Sequence, residues 1–263
     1  MDLGLKDKIA MVAASSKGLG KAIAHELALE GCKIAICSRD TAALQKSAEE
    51  IERHSGGSVF YRTCDVKDRQ QVAQFINELT THFTGIDIAI INAGGPRSGT
   101  FADVTYEDWE EAVKLTLLSA VSICQCVIPH MMKKQWGRII FVTSVSVKQP
   151  IENLILSNSI RLAVIGLCKS LSNEYAKHGI LVNAVCPGYT KTERLEELAK
   201  NLSRTKEKDV EAIYQDWSSN VPMKRLGKPE ELARLVAFLA SERASYITGT
   251  AIQVDGGLVK FIY

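Results

Sequence analysis

Several features that would place the chain in a specialised class of protein are missing from its sequence. No apolar run reaches the roughly eighteen residues of a membrane-spanning helix, and no secretory signal is evident, so we expect neither membrane insertion nor export. There is no Cys-x-x-Cys pair and no pair of histidines one helical turn apart, so we expect no metal site. Lysine and arginine number 32 and the acidic residues 30, and the net charge of +2 argues against nucleic acid as a partner.

The composition that is present is ordinary for a soluble globular protein. Of the 263 residues, 46% are hydrophobic and 24% charged, and there is no internal repeat or low-complexity tract. A chain of this length can bury a full core without disulfides. The 7 cysteines, an odd number, lie mostly among apolar residues, as buried thiols do, and this favours the reducing cytoplasm as the compartment.

Short apolar runs alternate with longer segments of helical period along the whole chain. This alternation predicts a single α/β domain over residues 1–263, with a doubly wound, Rossmann-like parallel sheet. The segment 192–220 is polar and breaks the rhythm, and we predict an irregular excursion there, with a helix near 209–217, that covers a ligand crevice. The predicted strands are 8–13, 34–37, 59–64, 86–91, 138–142, 181–185 and 251–254, and the longest predicted helices are 106–133 and 159–177.

The first predicted strand runs into a turn of small residues that opens a helix. Between Ala14 and Gly20, free backbone N–H groups and the positive end of the helix dipole suit a pyrophosphate. Glycine needed only for a sharp turn would give a similar pattern. The position on the first strand of a doubly wound sheet favours a dinucleotide.

Five motifs, in order, resemble those of the short-chain dehydrogenase/reductase family. They are Ala13-Ala14-Ser15-Ser16-Lys17-Gly18-Leu19-Gly20, Cys64-Asp65-Val66, Asn92-Ala93-Gly94, Val182-Asn183-Ala184-Val185-Cys186-Pro187-Gly188 and Val254-Asp255-Gly256-Gly257. Length and the stretch 221–230 are most similar to the oxoacyl-carrier-protein reductase branch. Ala14 replaces the first glycine of the family's Thr-Gly-x-x-x-Gly-x-Gly turn, which is tolerated if φ there is not positive. We therefore expect altered cofactor affinity rather than its loss.

The resemblance implies a nicotinamide dinucleotide cofactor and the residues that contact it. By similarity, the first turn holds the diphosphate, Asp65 and Val66 lie at the adenine, and the segment 92–94 follows the ribose and diphosphate. Pro187, Gly188 and Thr190 fall beside the nicotinamide. The implied contacts are Ala14, Ser16, Lys17, Gly18, Leu19, Gly20, Ser38, Arg39, Asp65, Val66, Asn92, Ala93, Gly94, Arg161, Pro187, Gly188 and Thr190.

The end of the second predicted strand distinguishes NADP from NAD. Enzymes that use NAD usually carry an acidic residue there for the ribose hydroxyls, whereas a 2′-phosphate needs an arginine nearby. Ser38 stands at that position and Arg39 follows it, while Lys17 supplies a second cation, so we predict NADP, used as NADPH. An ion pair between Arg39 and Asp40 is the alternative use of this arginine.

The reaction centre departs from the family pattern of Asn, Ser, Tyr and Lys. Alignment on the family's motif places Ser157 at the Tyr position, Arg161 at the Lys position and Lys114 at the Asn position. Only Ser144 is retained. A serine hydroxyl is too weak an acid to replace the tyrosine, and arginine does not release its proton. We hypothesise that Lys114 donates the proton and Ser144 hydrogen-bonds the carbonyl. In this hypothesis Arg161 holds the nicotinamide ribose and stabilises negative charge, and Ser157 only leaves room.

Neighbouring residues have more than one interpretation. Tyr189 is a second possible proton donor or an aromatic wall of the substrate pocket. Arg97 could meet an anionic substrate or cap a loop. Ile155 and Leu156 suggest an apolar lining of the pocket.

These expectations combine into a cytoplasmic, NADP-dependent oxidoreductase that reduces a small or medium-sized carbonyl compound with an atypical proton donor. In a variant, water or the substrate supplies the proton, as in reduction of a conjugated acceptor. The alternative is a dinucleotide-binding protein that has lost catalysis and acts as a sensor or partner subunit. The resemblance also implies a homotetramer or homodimer, in which Cys124, Val127 and Ile128 of the long helix and the helix after Ser159 pack against their copies.

Overall fold

Within residues 2–262, parallel strands form one sheet at the centre of the molecule. The computed structural model describes these residues, apart from the side chains of 205 and 206, so residues 1 and 263 of the predicted domain lie outside the described residues. The strands are β1 Ile9–Ala13, β2 Lys33–Ser38, β3 Val59–Thr63, β4 Ile88–Ile91, β5 Gly137–Val142, β6 Ile180–Pro187 and β7 Ala251–Val254. Their order is β3-β2-β1-β4-β5-β6-β7, and every pairing is parallel.

Helices cover both faces of this sheet. The helices are α1 Gly18–Leu29, α2 Thr41–Ser55, α3 Arg69–Phe83, α4 Tyr106–Val113, α5 Ser119–Lys134, α6 Ile155–Tyr175, α7 Glu193–Lys206, α8 Val210–Asn220 and α9 Pro229–Ala240. One core cluster joins α3, α5 and α6 to the sheet, and a second joins α1, α2 and α9 to the opposite face. The predicted doubly wound parallel sheet is confirmed.

Local sequence explains why these elements form. Strands β1, β4, β5 and β6 are buried along their whole length, as their nearly continuous apolar sequences require. Aspartates precede two of the helices: Asp40 accepts the N–H of Ala43 at 3.0 Å before α2, and Asp68 accepts two N–H groups before α3. The apolar runs fix the extent of the strands, and the aspartate caps fix where α2 and α3 begin. Together they determine which residues lie at the carboxyl edge of the sheet.

The polar segment after Thr192 is helical, and the prediction of an irregular excursion over 192–220 is wrong in that respect. Helix α7 begins where the Thr192 hydroxyl accepts the N–H of Leu195 at 3.3 Å, and α8 contains the predicted helix near 209–217. Among the side chains of α7 that the structure describes, those of Leu195 and Ala199, one turn apart, are buried. A helix that lies on the surface needs only one narrow apolar stripe to pack against the rest of the protein. The other residues of α7 are therefore mostly polar, and its sequence resembles that of a loop.

The long predicted helix 106–133 contains a π turn. Helix α4 passes into π geometry over Lys114–Leu118 before α5 resumes the α-helix. Cys124, Val127 and Ile128 of α5 are buried in the core cluster with α3 and the sheet, so the prediction that they meet a second copy is wrong. Segments 106–134 and 155–178 are long and apolar enough to cross a membrane by composition alone, but they pack in the core over 50% and 39% of their most apolar windows.

Candidate active site

A cleft of about 770 Å³ opens at the carboxyl edge of the sheet. Residues that follow β1 to β6 line it, on both sides of the point where the strand order reverses between β1 and β4, as expected for ligand crevices of doubly wound sheets. All the implied cofactor contacts except Gly20 line this cleft, as do Ser144 and Ser157. The lining residues that sequence reasoning missed include Ala43, Cys64, Gly95, Pro96, Leu115, Thr143, Val145, Ile151, Leu154, Thr192, Glu193, Arg194, Leu195, Glu197 and Leu198.

The first turn is strained at Ala14. This residue has φ +49°, in the left-handed region, so the condition under which alanine was expected to be harmless is not met. An L-residue costs about 1–2 kcal/mol in this conformation. Gly20 does not line the cleft but lies behind the turn. A methyl group there would lie 2.4 Å from the Ala14 carbonyl oxygen, so the close approach of the two backbone segments requires glycine. The same oxygen accepts the Asn92 side-chain amide at 3.2 Å, which ties the turn to the end of β4.

Two cations flank the turn without protein partners. Lys17 and Arg39 are exposed, and neither has a carboxylate within 4.0 Å among residues 2–262. Asp40, the residue expected to compete for Arg39, instead caps α2. The end of β2 therefore presents Ser38 and an unpaired guanidinium, and no acidic side chain at position 38.

The middle of the cleft is open where a dinucleotide would pass. A methyl group on Gly94 would meet no atom within 4 Å. Asp65 and Val66 line the far side, and the Asp65 carboxylate accepts the N–H of Lys67 at 3.0 Å, which holds the turn after β3. The free N–H groups at the start of α1, the unpaired cations and this open space together fit a phosphorylated adenine dinucleotide.

Three serines form a hydroxyl cluster at the end of β5. The Ser144 hydroxyl oxygen accepts the N–H of Ser146 at 3.1 Å, so its own hydrogen is free to point into the cleft. The Ser146 and Ser157 hydroxyls share a hydrogen bond at 3.3 Å, and both side chains are buried. The cluster therefore supplies neutral hydrogen-bond donors and no acid.

Arg161 is a buried cation beside these serines. Its Nη1 donates to the carbonyl oxygens of Val142, at 3.2 Å, and of Thr143, at 3.1 Å, and the side chain lines the cleft. Within residues 2–262, no carboxylate lies within ion-pair distance of it, and Nε and Nη2 have no hydrogen-bond acceptor. Burial, with the nearby charge of Arg194, lowers the pKa of Arg161 to about 10, so the guanidinium is still charged at neutral pH.

Lys114 is not at the reaction centre, and the hypothesis that it donates the proton is wrong. Its side chain is 52% exposed and its Nζ lies 3.5 Å from Glu111 Oε1, one turn earlier in the helix. Leu115, inside the π turn, lines the cleft instead. The turn shifts which residues of the helix face inward, a change that alignment by spacing does not register.

Tyr189 stands at the substrate end and is held in place by an aromatic contact. Its ring stacks on Trp217 of α8, with centroids 5.0 Å apart. Burial, together with the charge of Glu152, raises the pKa of the Tyr189 phenol above its ordinary value. It is therefore a weaker acid than free tyrosine, which favours its interpretation as an aromatic wall.

Helix α7 closes over the cleft through Arg194. Its Nη2 donates to the Pro96 carbonyl oxygen at 2.6 Å, and its guanidinium lies against Gly95, where a methyl group would meet Nε at 2.7 Å. Thr190 is buried and its hydroxyl donates to the Gly188 carbonyl oxygen at 3.3 Å. Contacts of this kind join segments distant in sequence, so no local pattern could have identified Arg194.

The structure decides between the two interpretations of Arg97 and corrects one expectation about the lining of the pocket. Arg97 forms an ion pair with Asp108 at the start of α4, so it ties down a loop and does not line the cleft. Ile155 and Leu156 belong to a separate core cluster with Ala112 and Ile160. Near the start of this helix, the apolar residues that line the cleft are Ile151 and Leu154, which precede it.

Comparison with known proteins identifies the family. The profile of the family described as enoyl-(acyl carrier protein) reductase matches residues 13–259. The 3-oxoacyl-[acyl-carrier-protein] reductase FabG of Aquifex aeolicus (strain VF5) is 33% identical over 258 residues, which are 98% of this chain and 100% of the relative. Oxidoreductase UcpA of Escherichia coli (strain K12) is 33% identical over 258 residues, 96% of this chain and 95% of the relative.

Solved structures agree with the sequence comparisons. L-Sorbose reductase from Gluconobacter frateurii, in a complex with NADPH and L-sorbose, superposes with a TM-score of 0.94 at 32% identity, with 100% of each chain covered. The sequence relatives, which match nearly the whole chain, and this superposition indicate the same family. The chain belongs to the short-chain dehydrogenase/reductase family of oxidoreductases, on the branch of the oxoacyl-carrier-protein reductases.

Proposed function

We propose that the chain is an NADPH-dependent reductase of a small or medium-sized carbonyl compound. The observation that carries this proposal is the pair of unpaired cations, Lys17 and Arg39, beside Ser38 at the end of β2. A 2′-phosphate there would form charge-assisted hydrogen bonds that the hydroxyls of NADH cannot form. The L-sorbose reductase, the similar protein solved with NADPH, supports the same cofactor.

Different residues of the chain would contact different parts of the cofactor. The first turn would hold the diphosphate, Lys17 and Arg39 the 2′-phosphate, Asp65 and Val66 the adenine, and Arg161 the ribose next to the nicotinamide, with Pro187 nearby. A nicotinamide bound there supplies a hydride. Ser144 donates its free hydrogen to the substrate's carbonyl oxygen, and Arg161 stabilises negative charge on that oxygen.

The competing function is a dinucleotide-binding sensor or partner subunit without catalysis. The absence of the family's Tyr and Lys, replaced by Ser157 and Arg161, favours it. The Ser144 hydroxyl hydrogen and the Nε and Nη2 donors of Arg161 have no acceptor among residues 2–262, and donors left free in a cleft favour a working centre. Binding without turnover would decide for the sensor.

Cofactor binding and turnover test the proposal directly. We expect NADPH to quench the protein's fluorescence with a lower Kd than NADH, and NADPH absorbance to fall with at least one member of a panel of ketones, diketones and enones. Arg39→Ala should raise the Kd for NADPH by about 10- to 100-fold, since a hydrogen bond to a charged group contributes about 1.5–3 kcal/mol. The Kd for NADH should barely change.

Arg53→Ala is the matched control, because Arg53 is an exposed arginine in the last turn of α2, the helix that follows Arg39, and it lies outside the cleft. Equal Kd values for NADPH and NADH in the unaltered protein, or an equal loss of NADPH binding in both arginine variants, would contradict the NADP assignment. Tight NADPH binding with no turnover across the panel would support the sensor.

We also propose that the chain acts in the cytoplasm as a homodimer or homotetramer. All 7 cysteines are free thiols, in keeping with a reducing compartment. Leu118 in the π turn and Leu162 in α6 leave 51% and 53% of their surface exposed, which makes these helices candidate contacts between copies. Light scattering that shows a monomer would contradict the assembly.

A further inference from the structure

The reaction centre can stabilise a negative oxygen, but no activated acid stands in it. Its donors are the free Ser144 hydrogen, the Ser146 and Ser157 pair, and the unpaired donors of Arg161. Lys114 is outside, and Tyr189 is packed against Trp217. Arg194 and Thr143 also line the cleft, but Arg194 Nη2 donates to the Pro96 carbonyl oxygen and the Thr143 hydroxyl to that of Val185.

Such a centre treats two kinds of hydride acceptor differently. Hydride addition to an isolated ketone leaves an alkoxide, a strong base that must gain a proton as it forms. Hydride addition to the β-carbon of an α,β-unsaturated carbonyl compound leaves an enolate, whose charge is shared between oxygen and the α-carbon. An enolate is a weaker base that hydrogen bonds and a fixed cation can hold until water protonates it.

The burial of Arg161 is consistent with a ligand of this charge. A buried cation without a carboxylate partner is costly, and an anion that enters the cleft removes that cost. The Val142 and Thr143 carbonyl oxygens occupy only Nη1, which leaves Nε and Nη2 for a ligand. The apolar residues that line the cleft include Pro96, Leu115, Val145, Ile151, Leu154 and Tyr189, beside charged ones such as Glu193 and Arg194.

We propose that the preferred substrate is an uncharged, apolar α,β-unsaturated ketone or aldehyde, reduced at its carbon–carbon double bond, with Arg161 and Ser144 binding the enolate oxygen. This inference rests on the proposed function and names its substrate class. A hydride adds to the β-carbon, and the electron pair of the double bond moves to the α-carbon and the oxygen. Water then gives a proton to the α-carbon, the carbonyl re-forms, and one oxidised cofactor is released for each substrate reduced.

Product analysis with matched substrate pairs tests this class. The pairs are cyclohexenone with cyclohexanone, and benzalacetone with benzylacetone. We expect each unsaturated member to be reduced about a hundredfold faster than its saturated partner, because only the alkoxide path needs a strong general acid. The product should be the saturated ketone, with deuterium at the β-carbon from NADPH labelled at the nicotinamide C4, and at the α-carbon from heavy water.

The outcomes of this experiment are distinct. Formation of an allylic alcohol, or equal rates for the two members of a pair, would overturn the inference and leave the proposed function standing. Failure of both members and of the wider panel to oxidise NADPH would defeat the proposed function itself, and this inference with it.

Binding of an enolate mimic gives a readout that does not depend on turnover. The probe is para-nitrophenol, whose phenolate absorbs visible light, titrated with pH in the presence of the protein and oxidised cofactor. We expect the bound phenol to ionise at a pH lower by about one unit or more, because a cation within a few ångströms favours the anion. Arg161→Met should abolish this shift, and Arg161→Lys, which keeps the charge, should retain part of it.

An unchanged shift in Arg161→Met would mean that Arg161 does not face the oxyanion, and the inference would be wrong. Circular dichroism and urea unfolding of both variants exclude a loss of folding as the cause. If Arg161→Met does not fold, the isotope positions in the unaltered protein still decide the substrate class.

Discussion

Two buried arginines, at opposite edges of the same sheet, are compensated in different ways. Arg138, at the amino end of β5, is 3% exposed and donates to the carbonyl oxygens of Gly137 and Gly179, at 2.9 and 3.2 Å. Its Nη2 lies 3.7 Å from Glu242, and its guanidinium covers the Trp136 ring at 4.3 Å. The protein itself therefore supplies Arg138 with acceptors, a counter-charge and an aromatic face.

Arg161, at the carboxyl edge, has only part of that environment. It is 8% exposed and has two carbonyl acceptors, but within residues 2–262 no carboxylate and no aromatic ring compensates its charge. Burial lowers the pKa of both arginines, and Glu242 opposes this effect only at Arg138. The difference predicts that Arg138 stabilises the fold, and it agrees with our proposal that Arg161 binds a ligand.

Exchange of Arg161 for an apolar residue of similar length should have the largest effect on turnover. In Arg161→Met, turnover of the best substrate should fall by about a hundredfold or more, as for loss of one oxyanion-stabilising donor. The free energy of unfolding should change by less than about 1 kcal/mol or rise, because removing an uncompensated buried charge offsets the lost hydrogen bonds. Steady-state kinetics and urea unfolding at one protein concentration measure the two quantities.

Arg138→Met is the matched comparison and should show the reverse. Three carbonyl oxygens, those of Gly137, Gly179 and Ser241, would lose a donor, which should lower the free energy of unfolding by about 2–3 kcal/mol. Turnover per folded molecule should stay close to that of the unaltered protein. If both variants lost stability equally, the distinction between the two arginines would be wrong.

The contrast between these arginines also marks what sequence could predict. The strands follow from apolar runs that are buried on both faces, and the family motifs brought Ser144, Ser157 and Arg161 to one place. Arg138 lies in one such run, Arg138 to Val142, and its burial depends on Trp136 and Glu242, which only the fold brings together. Nothing in the local sequence distinguishes it from a surface arginine.

The errors at the site have physical causes of the same kind. Lys114 was misplaced because a π turn changes the phase of its helix, and the hydrophobic period continues on either side of it. Helix α7 was not predicted because a helix that covers a cleft needs only a narrow apolar stripe, here Leu195 and Ala199. Arg194 donates a hydrogen bond to the Pro96 carbonyl oxygen across the cleft, and a contact between residues so distant in sequence cannot be predicted from a local pattern.

The comparison extends to the backbone of the cofactor turn. Ala14 is held at φ +49°, so Ala14→Gly should raise the free energy of unfolding, by about 0.5–1 kcal/mol. The relief of about 1–2 kcal/mol is offset by the greater freedom of glycine in the unfolded chain. Chemical denaturation, followed by circular dichroism, measures the change.

Ala13→Gly provides the control for this effect. Ala13 ends β1 without a positive φ and is buried, so glycine there brings the entropic cost and the loss of a buried methyl group, with no relief of strain, and should destabilise the protein. Equal destabilisation by both glycines would show that Ala14 is not strained. It would also remove the argument that the carboxyl edge carries a cost in its backbone as well as in its charges.

Loss of an exposed ion pair between an arginine and a glutamate should have the smallest effect on the free energy of unfolding. Comparison with Arg138 separates the stabilisation that comes from burial of an arginine from that of its ion pair alone. Arg225 donates to the Glu231 carboxylate through Nη1, at 2.8 Å, and Nη2, at 2.6 Å. These bonds, together with the backbone N–H of Lys228, which donates to the same carboxylate, lower the pKa of Glu231 to about 2. A lowered carboxyl pKa adds stability above the unfolded value, near 4.5, and loses it as the pH falls towards 2. Glu231→Gln should therefore lower the free energy of unfolding by less than about 1 kcal/mol at neutral pH, because the pair is solvated, and by progressively less in acid.

Glu230→Gln, in the same helix turn, controls for the helix dipole and should show no comparable pH dependence. A loss in Glu231→Gln as large as that in Arg138→Met would mean that the ion pair, and not burial among carbonyls, explains why Arg138 stabilises the fold.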